Sequence, residues 1–305
     1  MTSGPQTAYY RGDGVARPGA ALPEPPPWRR FPRLPAAEVF CPTPELKQAV
    51  NAALILRRPL LITGPPGTGK STVIEQVAHE LDLGPVLRWH ITSRSTLSDA
   101  LYRYDALGRI HAQRLGQQDE VAAFLALGPL GSALLPPGPR ALLVDEIDKA
   151  DLDLPGDLLE VLERGEFRIP ELLREGQDCA QVRIWDSEEK AQVEHGLVQC
   201  SEFPFIVMTS NGEQELPPPF LRRCVRFTMP LPSEELIQDV VRQHLGIDVA
   251  DGGPIAELVT DFVNRVSSGE TLALDQLLNA LHLMNGSTEL PRGLFELVLK
   301  DLSRA

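Results

Sequence analysis

Apolar positions change their spacing along the chain, and the changes mark its elements. From residue 43 onward they recur at helical spacing: Leu46, Ala49, Val50, Ala53 and Leu54 fall on one face, behind a Thr43-Pro44 start in which threonine can cap and proline suits the first helical position. This predicts a helix over residues 45 to about 56. A short apolar run at 59–63 follows, then a glycine-rich turn and a second helix predicted over 70–81. Further strand candidates lie at 86–91, 141–144 and 205–209. Strands alternating with helices predict a parallel sheet in an α/β domain. After Met229-Pro230-Leu231-Pro232 the strand pattern stops. Helical periodicity then predicts four helices, about 233–245, 254–267, 273–285 and 292–302, with Pro254 and Pro291 marking starts and Gly246 and Gly286 marking ends.

Two regions depart from this alternation. Residues 1–42 hold nine of the 28 prolines, four glycines and five arginines against three acidic residues, a composition that predicts an extended or disordered tail. Residues 121–139 carry no charge and could be mistaken for a membrane span, but Gly128, Pro129, Gly131, Pro136, Pro137, Gly138 and Pro139 break the stretch. A buried helix followed by a loop is expected there, and no span. Over all 305 residues, 29 basic side chains face 42 acidic ones, a net charge of -13, which argues against binding nucleic acid through its phosphates. The helical segment, with five basic and twelve acidic residues, is the poorest surface for phosphate. Cys41, Cys179, Cys200 and Cys224 show no metal-ligand spacing, and free thiols in a reducing, cytoplasmic compartment are expected. The six histidines form no HxxxH pair, so a protein-built zinc site is not expected.

Candidate chemistry begins at Gly64-Pro65-Pro66-Gly67-Thr68-Gly69-Lys70-Ser71, with Thr72 next in line. The segment fits GxxxxGK[ST] and lies where phosphate binding requires it, after an apolar strand and at a helix start. Glycines let successive N–H groups converge on phosphate oxygens, Lys70 would reach the β- and γ-phosphates, and the Ser71 hydroxyl would ligate Mg²⁺. A second apolar strand ends in Asp145-Glu146. Asp145 would hold Mg²⁺ and Glu146 would polarise an attacking water. Asp148 and Asp151 read as residues that cap or solvate the next helix. The strand at 205–209 runs into Ser210-Asn211, whose amide could hold the same water. Arg222-Arg223 then offers an arginine finger or a surface salt-bridge pair.

With these elements in order the chain resembles the AAA+ ATPases, and among them the MoxR family. The resemblance is carried by GPPGTGKS at 64–71, LLVDEIDKAD at 142–151, DLLEVLERGEF at 157–167 and TSNGEQELPPPFLRRC at 209–224, and covers roughly residues 43–305. It implies an α/β fold, the P-loop NTPase αβα sandwich of AAA+ type with a parallel sheet, followed by a small all-helical lid domain. The implied division is a tail at 1–42, a nucleotide-binding domain at 43–231 and the lid at 232–305. It further implies ATP and Mg²⁺ as cofactors, a ring, expected as a hexamer, and nucleotide held between lid and sheet.

By position in the family's pattern, Asn211 becomes sensor 1 and Arg223 the finger reaching a neighbouring subunit, with Arg222 the alternative. Residues 165–204 take the place of the pre-sensor hairpin insertion, with strands around Phe167, Val182 and Val198. Residues 93–108 take the place of the helix-2 insertion, where Tyr102 and Tyr104 either face a pore or pack at a helix–sheet edge. The family's arginine at the third lid helix is missing from Ser267-Ser268-Gly269-Glu270-Thr271-Leu272, and Arg265 and Arg292 are the nearby substitutes. The function implied is ATP-driven remodelling or activation of a client protein, with a partner bearing a von Willebrand factor A domain. Two alternatives stand beside it: a nucleic-acid-associated motor using GTP, for which Arg168, Arg174 and Arg183 would be the contacts, and a nucleotide-dependent switch or scaffold with little turnover.

Overall fold

The computed structural model describes residues 12–16, 24–30, 40, 42–116, 120–231, 234–246, 249, 253–268, 270, 272–286 and 298–299. The chain divides into two compact units, one formed by residues 40–64 and 69–229, the other by residues 1–39, 65–68 and 230–305.

The larger unit begins with α1 (Pro44–Leu56), where the Thr43 side chain accepts the Leu46 N–H as a cap. Strand β1 (Leu60–Thr63) follows, and after the phosphate-loop candidate comes α2 (Thr72–Glu80). The helix starts two residues later than the expected 70, because Lys70 and Ser71 belong to a turn closed by the Thr72 N–H donating to Gly69 O. Strands β2 (Leu87–His90), β5 (Ala141–Asp145), β10 (Phe205–Ser210) and β11 (Val225–Thr228) join β1 in a five-stranded parallel sheet of order β11-β1-β10-β5-β2. Period-two alternation sends its side chains into two cores. Leu60, Ile62, Leu143 and Val207 pack on one face with Leu46, Val73 and Ile74 of the two helices. Leu61, Leu142, Val144, Ile206 and Met208 pack on the other.

That second core is shared with a mixed sheet of six short strands. Between β2 and β5 lie α3 (Leu97–Leu101), β3 (Tyr102–Tyr104), α4 (Ala106–Arg114), β4 (Leu125–Leu127) and α5 (Pro129–Ala133). After β5 come α6 (Leu154–Arg164), β6 (Glu166–Arg168), α7 (Pro170–Glu175), β7 (Cys179–Arg183), β8 (Lys190–Glu194) and β9 (Leu197–Gln199). The strand order is β3-β4-β7-β8-β9-β6, antiparallel except where β4 meets β7.

The charge-free stretch 121–139 is thus not one buried helix. It is a 3₁₀ turn with Val121 and Ala122 buried but Ala123 exposed, then the strand β4, then the fully buried five-residue α5. Gly131 is required in α5, since a Cβ there would meet Leu101 O at 1.9 Å. Tyr102 packs rather than projects: it is half-buried, stacks on Phe167 with ring centroids 6.4 Å apart, and donates to Glu171 Oε2 at 2.9 Å. Tyr104 also lies against the core and accepts from Arg109.

After β10, α8 (Pro218–Leu221) leads into β11. The smaller unit contains α9 (Glu234–Leu245), α10 (Pro254–Ser267) and α11 (Leu274–Gly286), packed around Ile237, Val241, Phe262, Leu277 and Leu281. The fourth expected helix, with Arg292, lies outside the described residues apart from Val298 and Leu299. Arg265 is engaged inside this unit, donating to Glu270 Oε2 at 2.8 Å and to Leu299 O at 2.9 Å. The tail is not wholly free. Trp28, on a 3₁₀ turn (Pro27–Arg29), packs against this core, donates to Asn279 Oδ1 at 3.0 Å and meets His282 edge-on. Cys179, Cys200 and Cys224 are unpaired thiols, and Cys41 lies outside the described residues. Among the described residues no helix is long and apolar enough to cross a membrane.

Candidate nucleotide site

Three neighbouring parallel strands bring the candidate residues together. Because β10 lies between β1 and β5, whatever follows β10 stands between the loop after β1 and the carboxylates at the end of β5. The register aligns their carboxyl ends, with Thr63 opposite Ser210 and Val144 opposite Met208. Ligands of α/β sheets bind at this edge.

Gly64 leaves β1 at φ 148°, which favours glycine, and a Cβ there would come within 2.9 Å of Met229 Cβ. The loop turns back through Gly67 and Gly69, also at positive φ. Lys70 is only 7% exposed, and its Nζ donates to Gly64 O and to Asn211 Oδ1, each at 2.8 Å. Burial lowers the affinity of this amine for its proton, against the opposing pull of Asp145, Asp148 and Glu146. Ser71 Oγ donates to Asp145 Oδ1 at 2.8 Å.

Glu146 takes a left-handed conformation, φ 61° and ψ 50°, which is uncommon for a residue with a Cβ. This turn aims its carboxylate at Asn211, whose Nδ2 donates to Oε1 at 3.3 Å, and at Lys149, whose Nζ donates to Oε2 at 2.8 Å. The ion pair with Glu146 raises the Lys149 pKa. Asn211 therefore joins Lys70 to Glu146 through the two ends of one amide.

Sequence reasoning missed three participants. Thr209, fully buried, donates to Asp145 Oδ1 at 2.6 Å and accepts the Glu146 N–H at 2.9 Å. Its position one residue from the end of an apolar strand was the available signal. His90, ending β2, lies 3.9 Å from Asp145 Oδ2 and 3.7 Å from Glu146 Oε2. Asp148, expected to cap or solvate a helix, is instead 1% exposed, and Oδ2 accepts the N–H groups of Asn211 and Glu213. Asp151 stays exposed in its turn, accepting the Leu152 N–H.

The arginine pair stands elsewhere. It lies one residue before β11, whose Val225 aligns with Leu60 at the amino end of β1, so the length of β1, roughly 13 Å at about 3.3 Å per residue, separates it from the loop. Arg223 pairs with Glu163 of α6, and Arg222 Nε donates to Pro218 O. Neither has a hydrogen bond or ion pair to Lys70, Asp145, Glu146 or Asn211.

No curated protein matches the chain. Solved structures to which the chain shows similarity include NtrX from Brucella abortus in complex with ADP, 15% identical with a TM-score of 0.44, over 83% of this chain and 53% of that one. Another is a protein of Cytophaga hutchinsonii assigned as an ATPase, 15% identical with a TM-score of 0.38, over 64% and 48%. The chain spans about half the length of these structures. Residues 59–224, more than half of the chain, match the model of the AAA domain, dynein-related subfamily, and the segment holds the loop, both carboxylates, Asn211 and the arginine pair; the chain belongs to that family.

Proposed function

We propose that the chain binds and hydrolyses ATP as a MoxR-like AAA+ protein, with residues 43–231 as the nucleotide-binding domain and 232–305 as its helical companion. The observation that carries this reading is the Asn211 amide, which links the lysine of the phosphate loop to the carboxylate suited to activate water. Gly64 to Thr72 would cradle the phosphates and Lys70 would neutralise the β- and γ-phosphoryl oxygens. A hydroxyl and a carboxylate oxygen 2.8 Å apart form a donor set that fits a hard divalent cation, so Ser71 and Asp145 would hold Mg²⁺. Bound there with ATP, Mg²⁺ would screen charge on the phosphoryl oxygens. Glu146 would orient and deprotonate the water, and Asn211 would keep that carboxylate facing the γ-phosphate.

Arg223, standing at the opposite edge of its own sheet, suits a role in a neighbouring subunit, which supports a ring, proposed as a hexamer. Its exposed pair with Glu163 is worth little and exchanges readily. The similarity at 142–151, 157–167 and 209–224 supports client remodelling with a von Willebrand factor A domain partner.

Steady-state ATP hydrolysis per subunit, measured over a wide range of protein concentration, tests this. Specific activity should climb with concentration. Glu146→Gln and Arg223→Ala should each lower it at least about 100-fold while leaving nucleotide affinity within a few-fold. Flat, undiminished activity in Arg223→Ala would remove the shared-site reading, and no hydrolysis at any concentration would remove the enzymatic one.

A further inference from the structure

We propose that Asp148 is a positioning residue for hydrolysis, holding Asn211 in the place from which it joins Lys70 to Glu146. The inference rests on the ATPase reading above and assigns a role to a carboxylate outside the phosphate loop and the strand-end pair.

Asn211 follows directly on β10, where strand pairing no longer fixes the backbone. One oxygen of Asp148 replaces that pairing. Oδ2 accepts the Asn211 N–H at 3.0 Å and the Glu213 N–H at 2.9 Å, closing the 211–213 turn around a single acceptor. The carboxylate comes from the 3₁₀ turn (Ile147–Lys149) that Glu146 initiates by its left-handed conformation. The segment carrying the water-activating carboxylate thus also grips the backbone of the residue that orients it. Asp148 is 1% exposed, and burying an ionised carboxylate is unfavourable unless charge and donors compensate. Here two backbone donors reach Oδ2 and the ammonium groups of Lys70 and Lys149 both feel its charge, while Oδ1, also buried, has no hydrogen-bond partner among the described residues. A residue that merely capped the next helix would stand in solvent, as Asp151 does.

The geometry distinguishes this role from direct participation. Asp148 has no hydrogen bond to Lys70, Ser71, Asp145 or the Glu146 side chain, so it acts through Asn211. Without its acceptor the 211–213 turn is free to shift, and a displacement of about 1 Å is enough to weaken a catalytic contact severely.

The test compares Asp148→Ala, Asp148→Asn, Asn211→Ala and the Asp148→Ala/Asn211→Ala double variant in the full chain. It records hydrolysis rate, KM, affinity for a fluorescent ATP analogue, thermal midpoint, and hydrogen exchange in peptides covering 209–214. Asp148→Ala should lower kcat at least about tenfold with nucleotide affinity within about twofold, and amide exchange at 211–213 should speed up. Asp148→Asn keeps an oxygen for both N–H groups and should retain most of the rate. Because both residues act through one contact, the double variant should fall no further than Asn211→Ala alone.

Additive losses in the double variant would overturn the proposal, as would an Asp148→Asn enzyme as slow as Asp148→Ala with its turn still protected. If Asp148→Ala fails to fold, the Asn variant and the exchange of its turn decide. If the wild-type chain binds the analogue without turning it over, the ATPase reading fails and exchange alone judges Asp148. Equal protection of 211–213 in wild type and Asp148→Ala then sinks it.

Discussion

Thr209 has one hydroxyl and uses both of its capacities, giving its proton to Asp145 and accepting the backbone N–H of Glu146. Two consecutive residues are thereby fixed from a neighbouring strand, one by side chain and one by main chain. Thr209→Val keeps the volume and removes both bonds. It should lower stability by about 1–3 kcal/mol, read by chemical denaturation, because one bond is to a carboxylate and the other holds a residue in a sparsely allowed conformation. The phosphate loop was legible in sequence because its glycines serve the local backbone, and so were Asp145 and Glu146, which end an apolar strand. Thr209 and Asp148 were not legible. Their hydrogen-bond partners lie 63 to 65 residues away, and only the order of strands brings them close.

At the scale of elements, four of the five core strands follow from apolar runs bounded by turn residues, whereas the edge strand β11, where Arg226 and Thr228 interrupt the apolar run, was not foreseen. The second sheet was harder to read. Its β6, β7 and β9 were foreshadowed by alternation around Phe167, Val182 and Val198, but β4 lies in an uninterrupted apolar stretch, where periodicity cannot separate strand from helix. Tyr102 ties β3 to this sheet's core. Burial, helped by the bond to Glu171, pushes its phenol up to about 12 from the usual 10.0. The folded state therefore holds the proton more tightly than the unfolded one. Its contribution to stability is complete below about pH 10 and is lost as pH rises towards about 12. Thermal melts of wild type and Tyr102→Phe between pH 8 and 11.5 check this: the advantage of wild type should shrink at the alkaline end, whereas a constant gap would assign the residue to packing alone.

For the molecule as a whole, the proline-rich tail and the helices after residue 230 group in one unit although they stand at opposite ends of the chain. Trp28 is the described anchor of that grouping, through Asn279 and His282 on α11. Composition identified the tail as unable to fold by itself, but it carries no signal for which surface a lone tryptophan will choose. Trp28→Ala should destabilise the helical unit by about 1–3 kcal/mol, below the loss for a fully buried tryptophan because the ring is only partly covered. Far-ultraviolet circular dichroism during urea unfolding of wild type and Trp28→Ala measures the loss.

The single parallel contact between β4 and β7 has a consequence for how this architecture can change. The segments that supply the two strands are separated in sequence by β5 and α6, yet they pair at Ala126 and Arg183. Removing either segment by itself would bare the backbone donors and acceptors of a strand that is central in the intact sheet, leaving a sticky margin open to other chains. The two segments complete one sheet between them, so a variant that lacks one and keeps the other trades a paired strand for an aggregation hazard.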